Sequence, residues 1–435
     1  MVKIMRNKTI LFIHQNFPGQ FKSLAPELAN NKAYEIHTLA AKTNSSENNP
    51  PDYITSMSNI THHHYAINIG SSPNIHLFAQ EFETKMIRAE AVAKKCFELK
   101  DAGLNPDLVI DHPGWGETFF IKEVWPDCKL LSYFEFYYNT HNSDIDFDID
   151  EVELPLKGFD LFARLRARNA PGMMSYLEAD QLISPTKFQQ STAPGFLQKK
   201  IKVIHDGIDT DIIKPFEDGE INIQNSQGLK IKLNKKNKII TFVNRNLEPY
   251  RGYHSFMRSL PKIQKEHPDA YILIVGGDKV SYGSVSPSGR SYKDIYLEEV
   301  KDDLIDLGKV IYLGKLDYVN FLTVIGLSSV HVYLTYPFVL SWSMLEAMSL
   351  EAVIVGSKTD PVEEIIKDNV NGLLVDFFDT DDISSTVNKV LHNPEKYKKL
   401  KKGARKTIID KYDLRKVTLP KQVKLIEDML KWKKI

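Results

Sequence analysis

The sequence predicts an α/β protein built as two successive domains. Three observations carry this. Short apolar, β-branched runs alternate with stretches of helical apolar spacing, and loops rich in glycine, proline and asparagine follow the runs. The alternation breaks once, at the polar segment 215–238, before a second series begins. A chain of 435 residues suits two domains and supplies apolar residues for two cores. Lys plus Arg equals Asp plus Glu at 56 each, which gives no support to a nucleic-acid partner. Cys96 and Cys128, the only cysteines, have no metal-ligand spacing and point to a reducing compartment without disulfides. No apolar run approaches a membrane span, and 9–13 is too short for a signal peptide core, so the expected home is the cytoplasm.

In the first series, Ile10-Leu11-Phe12-Ile13 reads as a buried strand. It runs into His14-Gln15-Asn16-Phe17-Pro18-Gly19-Gln20-Phe21 ahead of a helix starting near Lys22, the order in which nucleotide-binding α/β domains begin. A second strand is expected at 34–39 and a polar loop at 44–51. His62-His63-His64 is not read as a metal site, because adjacent side chains diverge in a strand or a loop. An amphipathic helix over 81–99 leads to a strand at 108–110, which opens onto Asp111-His112-Pro113-Gly114-Trp115-Gly116-Glu117. This loop gathers polar and aromatic residues at the carboxyl end of a strand, where open parallel sheets bind ligands. His112 there is a candidate to donate to a sugar hydroxyl or to steady charge. The strand at 130–133 delivers Phe134-Glu135-Phe136-Tyr137-Tyr138 to the same rim. The overlapping Asp-x-Asp triplets of 144–151 are read as a solvated acidic segment rather than a metal site. A helix over 159–179, broken at Pro171, and strands at 181–184 and 202–204 close the series.

The second series starts with a strand at 239–243 and the loop Asn244-Arg245-Asn246-Leu247-Glu248-Pro249-Tyr250-Arg251-Gly252. Two arginines flanking one turn suit a diphosphate gripped from two sides. A strand at 271–275 ends in Gly276-Gly277, short of a full dinucleotide fingerprint, and 282–290 is a polar Gly/Ser loop. A helix at 295–307, a strand at 310–313 and a helix at 318–326 follow. The stretch 330–348 is a buried strand stopped by Pro337, then Ser341-Trp342-Ser343 as N-cap and first turn, then good helix formers. Its free amides at 341–343 suit a phosphate, and Glu346, one turn in, suits the vicinal hydroxyls of a ribose. Strands at 353–356 and 372–375 precede a Lys-rich helical end, whose stripe of Val423, Ile426, Met429 and Leu430 is expected to pack on protein.

Taken in order, these stretches resemble the retaining glycosyltransferases of family 4, over nearly the whole chain. The likeness is strongest to a bacterial subgroup carrying His-Gln-Asn-Phe-Pro-Gly-Gln-Phe, His-Pro-Gly-Trp-Gly-Glu-Thr and Tyr-Pro-Phe-Val-Leu-Ser-Trp-Ser-Met-Leu-Glu-Ala-Met. The resemblance implies a GT-B fold, two Rossmann-like domains facing a central cleft. Residues 1–212 would form the acceptor and sugar side, 213–412 the donor-binding domain, and 413–435 a helical segment packing back toward the first domain. It further implies that Arg245 and Arg251 bind the donor diphosphate, with Arg251 standing where many relatives have lysine. Glu346 matches the ribose-binding glutamate, Gly19 the glycine loop near the phosphates, and His112 the histidine near the transferred sugar. Ser341, Trp342 and Ser343 join the donor-binding set, with Glu117 from the first rim. Two positions depart from the family: Phe338 stands in place of the first motif glutamate, and Ser341 in place of a glycine.

The function so implied is retaining transfer of a hexose-type sugar from a UDP- or GDP-sugar, without metal or cofactor, to a hydroxyl of a glycan, lipid-linked sugar, protein or small molecule. No nucleic-acid partner and no transmembrane segment are expected, and peripheral attachment to the inner membrane face stays open. Phe338 also keeps open a catalytically silent nucleotide-sugar sensor or adaptor. A GT-B epimerase or phosphorylase is a weaker third reading.

Overall fold

A computed structural model describes residues 7–42, 59–152, 154, 156–225 and 227–431, so the loop expected at 44–51 lies outside the described residues. The chain divides into two compact units. The first comprises Met1–Thr140, Leu156–Asp206 and Arg415–Ile435; the second comprises His141–Pro155 and Gly207–Leu414.

In the first unit, the described residues form β1 (Lys8–Ile13), β2 (Tyr34–Ala41), β3 (Ile60–Tyr65), β4 (Leu108–Asp111), β5 (Lys129–Tyr133), β6 (Gln181–Ser184) and β7 (Ile201–Val203). All pair in parallel, in the order β3-β2-β1-β4-β5-β6-β7. Parallel strands covered on both faces must be apolar throughout, which is why Ile10, Leu11, Phe12 and Ile13 are all fully buried. The strand order reverses between β1 and β4. The loops beginning at His14 and His112 therefore leave adjacent carboxyl ends, the switch point at which such sheets hold ligands.

In the second unit, β10 (Ile239–Asn246), β11 (Tyr271–Gly277), β12 (Val310–Gly314), β13 (Val330–Tyr333), β14 (Val353–Ser357) and β15 (Leu373–Val375) form a parallel sheet ordered β12-β11-β10-β13-β14-β15. The reversal here falls between β10 and β13. It brings the Arg251 loop and the segment 334–341 out side by side.

Several expectations are corrected. The helix Gly158–Glu178 runs unbroken through the buried Pro171; one turn earlier, the carbonyl of Arg168 accepts Lys85 Nζ at 3.3 Å, so a side chain serves backbone near the proline. Within the polar segment 215–238, where the sequence shows little apolar periodicity, β8 (Glu220–Gln224) and β9 (Lys230–Asn234) pair as an antiparallel hairpin. Its two-residue alternation, with Ile221, Ile223 and Leu233 buried, was hidden among Asn, Gln and Lys. β10 extends to Asn246, so Arg245 belongs to a strand end rather than to the loop. The acidic segment 141–155 is counted with the second unit, although it lies within the stretch assigned from sequence to the first domain. The last helix, Leu419–Lys431, belongs to the first unit, where it touches helix Leu24–Ala29 with Ile426 and Met429 fully buried. Val423 and Leu430 are only half-buried.

Candidate functional site

In the first unit the site is built at the ends of β1 and β4. His112 is buried, and its Nδ1 accepts the amide of Gly114 (3.2 Å), so Nε2 carries the proton. Its ring stacks on Tyr133 (5.4 Å) and tilts against Trp115 (4.8 Å). Nε2 lies 3.5 Å from Glu135 Oε2, an ion-pair distance rather than a closed hydrogen bond. Burial opposes charge on His112, but Glu135, Glu117 and Asp111 together outweigh it and raise the pKa. Asp111 is held by the Ser132 hydroxyl at 2.5 Å and by Thr118, yet burial still lifts its pKa to about 6.

His14, which the sequence reading did not single out, sits edge-on to His112 at 5.4 Å. It accepts the Asn16 amide on Nδ1 (3.0 Å) and contacts Gln20 through Nε2 (2.9 Å). Burial, with the neighbouring His112, drives its pKa down to about 3. Burial thus drives the His14 imidazole toward its neutral form, whereas the carboxylates around His112 oppose the same drive there. The signal that selected His112, a polar residue ending a buried strand, applies equally to His14. Gly19 has φ +47°, and a Cβ there would stand 2.3 Å from His14 Nε2. Its requirement for glycine is close packing on this buried imidazole.

Glu117 is buried. Tyr65 donates to its Oε1 at 3.3 Å, Oε2 has no hydrogen-bond partner among the described residues, and burial raises the pKa to about 7. Because the folded pKa exceeds the unfolded value, the folded state binds more protons between about 4.5 and about 7, and stability falls as pH rises through that window. Glu117→Gln removes this dependence. Its stability relative to the parent should improve from pH 4 to pH 8 by on the order of 3 kcal/mol. Denaturant titrations across that range check it, and parallel curves for the two proteins would refute it.

In the second unit Arg251 ends the short turn Pro249–Arg251 and is buried. Its Nη1 donates to Thr335 Oγ1 (2.7 Å) and to the carbonyl of Val339 (2.9 Å). The guanidinium lies 4.9 Å from the Tyr282 ring centre and 5.8 Å from that of Phe338. Burial alone would lower its pKa, but Tyr333, Tyr282 and Glu248 reverse the sign. Gly252 makes the turn possible: φ is +67°, and a Cβ would meet that of Leu334 at 2.3 Å. Arg245 is exposed at the end of β10, and no hydrogen bond or ion pair joins its side chain to the described residues. The two arginines expected to grip a diphosphate from two sides therefore differ, one buried in a socket and one exposed.

The helix Trp342–Ser349 begins as expected with Ser341 as N-cap, its hydroxyl accepting the Ser343 amide at 3.3 Å. The Ser341 amide itself donates to the Tyr333 hydroxyl at 2.8 Å. Two of the three amides assigned from sequence to a phosphate are thus already engaged, and a ligand would have to exchange with those bonds. Trp342 occupies the first helical position, half-buried. Glu346 is buried and accepts from the Tyr318 hydroxyl at 2.6 Å; Tyr318, itself 48% exposed, leads the carboxylate toward solvent. Phe338 is buried, edge-on to Tyr250 (5.3 Å) and beside Tyr282 (5.0 Å).

Glu248, also unremarked in the sequence, is buried. It accepts the consecutive amides of Ser281 (3.0 Å), Tyr282 (3.1 Å) and Gly283 (3.1 Å). The Gly/Ser loop is anchored by this carboxylate, which fixes Tyr282 over Arg251. The only metal-ligand grouping among the described residues, Glu266, His267 and His392, includes none of these side chains, and His267 Nδ1 there faces Lys238 Nζ at 3.1 Å.

Two family models match the chain. Residues 35–213 match the glycosyl transferase family 4 group, and residues 225–407 match the glycosyl transferases group 1. The chain has the GT-B fold, and each of its two halves is similar to a glycosyltransferase family. An uncharacterised glycosyltransferase of Methanocaldococcus jannaschii is 24% identical over 249 residues, 56% of this chain; the chain spans 58% of that relative's length. The GT-B fold is shared with sucrose-phosphate synthase from Thermosynechococcus elongatus (TM-score 0.70, 15% identity, covering 97% of this chain and 99% of that one). It is shared also with Anabaena HepE in complex with UDP-glucose (TM-score 0.62, 15% identity, covering 97% and 99%). No helix of this GT-B chain, among the described residues, is long and apolar enough to cross a membrane.

Proposed function

We propose that the protein is a retaining glycosyltransferase that moves a hexose-type sugar from a UDP- or GDP-sugar to an acceptor hydroxyl without a metal. The observation that carries the reading is the convergence at the second switch point: the buried Arg251 after β10, the Ser341 cap after β13 and Glu346 one turn further on. The UDP-glucose held by HepE supports a nucleotide sugar as donor. In the proposed reaction the bond between C1 and the phosphate oxygen breaks, the acceptor oxygen bonds to C1 on the same face, and its proton passes to the departing phosphate. Negative charge grows on the diphosphate, and Arg251, Arg245 and the helix N-terminus stabilise it. His112 and Glu117 serve the sugar and acceptor side. A silent nucleotide-sugar sensor is the second reading, favoured by Phe338, whose ring is packed among tyrosines where the family's glutamate would bond the sugar.

A panel of UDP-, GDP- and other nucleotide sugars, assayed for hydrolysis and thermal stabilisation, tests both. At least one donor should be turned over, at full rate in excess chelator. Loss of turnover in chelator, restored by manganese or magnesium, would overturn metal independence. Stabilisation by nucleotide sugars without any turnover would leave the sensor.

A further inference from the structure

The acidic segment expected to be solvated is docked within the second unit, residue against residue. Asp144 accepts from the Tyr250 hydroxyl. Asp148 Oδ2 lies 3.1 Å from His254 Nε2 and accepts the Tyr336 hydroxyl at 2.7 Å. Glu151 takes Arg258 in a fork at 2.6 and 3.0 Å. The partners Tyr250, His254 and Arg258 recur every four residues, one face of the turn and helix that start at Pro249, and the acids meet them in the same order. Phe147 fills the space between, 5.1 Å from the rings of both Tyr336 and Phe377. Asp146 turns back onto the segment's own amides at Asn142 and Ser143, both at 2.8 Å. The carboxylates of Asp144, Asp146 and Asp148 are therefore spent on separate protein partners.

Asp148 differs from the other two acids in what it joins. His254 belongs to the helix that follows Arg251, while Tyr336 belongs to the segment 334–341 that supplies Thr335 and Val339, the two acceptors of the Arg251 guanidinium. One carboxylate oxygen, on a side chain only 6% exposed, thus ties together the two halves of the Arg251 socket. Glu151 binds Arg258, one turn beyond His254 on the same helix, and so engages one half only. We propose that Asp148 is a positioning residue of the donor site, holding the Arg251 guanidinium in place by bridging His254 and Tyr336. Burial works against the Asp148 anion, but the His254 and Tyr336 bonds overcome it and lower the pKa, so the bridge persists from neutral pH down into the acidic range.

The inference rests on the reading of Arg251 as the group that faces the donor diphosphate, and its test separates the two. In protein labelled at arginine, the Nε–H signal of Arg251, assigned by its loss in Arg251→Ala, should show faster solvent exchange in Asp148→Ala and parent-like exchange in Glu151→Ala. This readout needs no activity. With a donor that the parent turns over, Asp148→Ala should lower kcat about tenfold with KM nearly unchanged, and Asp148→Asn, which keeps an acceptor for Tyr336, should recover part of it. The double variant with Arg251→Ala should be no slower than Arg251→Ala alone. Unchanged Arg251 exchange in Asp148→Ala, equal effects of Asp148→Ala and Glu151→Ala, or additive losses in the double variant would each overturn the bridge. Altered exchange in a protein that binds no nucleotide would support the bridge and refute the donor reading.

Discussion

Arg251→Ala is expected to lower turnover of a nucleotide sugar by about a hundred- to a thousandfold, the scale of removing one preorganised donor from a site where charge develops. Donor affinity should fall less, because the charge on the diphosphate grows as the sugar bond breaks. The buried guanidinium adds a second, separable consequence. Its loss leaves Thr335 Oγ1 and the Val339 carbonyl without their donor, costing about 1–3 kcal/mol of stability. Arg245→Ala should carry no such cost, since that side chain is exposed and bonds to none of the described residues. Steady-state kinetics with denaturant unfolding of both variants checks the pair. Equal losses in donor binding and turnover for Arg251→Ala would make its role uniform binding, and a stability unchanged from the parent would dissolve the socket.

Glu346→Ala should weaken the donor and the free nucleoside diphosphate alike, by about ten- to a hundredfold, because the ribose contacts it would make are present in both. Its partner Tyr318 is 48% exposed, so the hydroxyl freed by the substitution can be hydrated and the fold should change little in stability. That separates Glu346 from Arg251, whose partner Thr335 is fully buried and whose partner Val339 is half-buried. Calorimetric titration with UDP and GDP measures the loss directly. Parent-like affinity in the variant would remove Glu346 from the nucleotide site.

The order of strands and helices was legible because each element writes its own period into a short window. Residues 10–13, 108–110 and 330–333 are buried runs that only a covered parallel strand needs, and Ser341 ahead of Met344 and Leu345 is a local start signal. The placement of candidate residues after strand ends followed from the same local reading. The hairpin at 220–234 escaped it because its alternating apolar residues are few and set among polar ones. Pro171 misled it because a helix tolerates proline when its surroundings hold the flanking turns.

The sequence by itself therefore determined two α/β series and the loops in which the candidate polar residues sit. Tertiary structure alone decided the state of those residues. Arg251 is socketed and Arg245 is not, the amides of Ser341 and Ser343 are already bonded, and His14 shares the buried site of His112. It also decided that the acidic run is a docked strap, through contacts such as Tyr250 with Asp144 and Tyr336 with Asp148, 106 and 188 residues apart. Periodicity and capping are properties of neighbours along the chain, whereas burial, pairing and charge state depend on groups that only folding brings together.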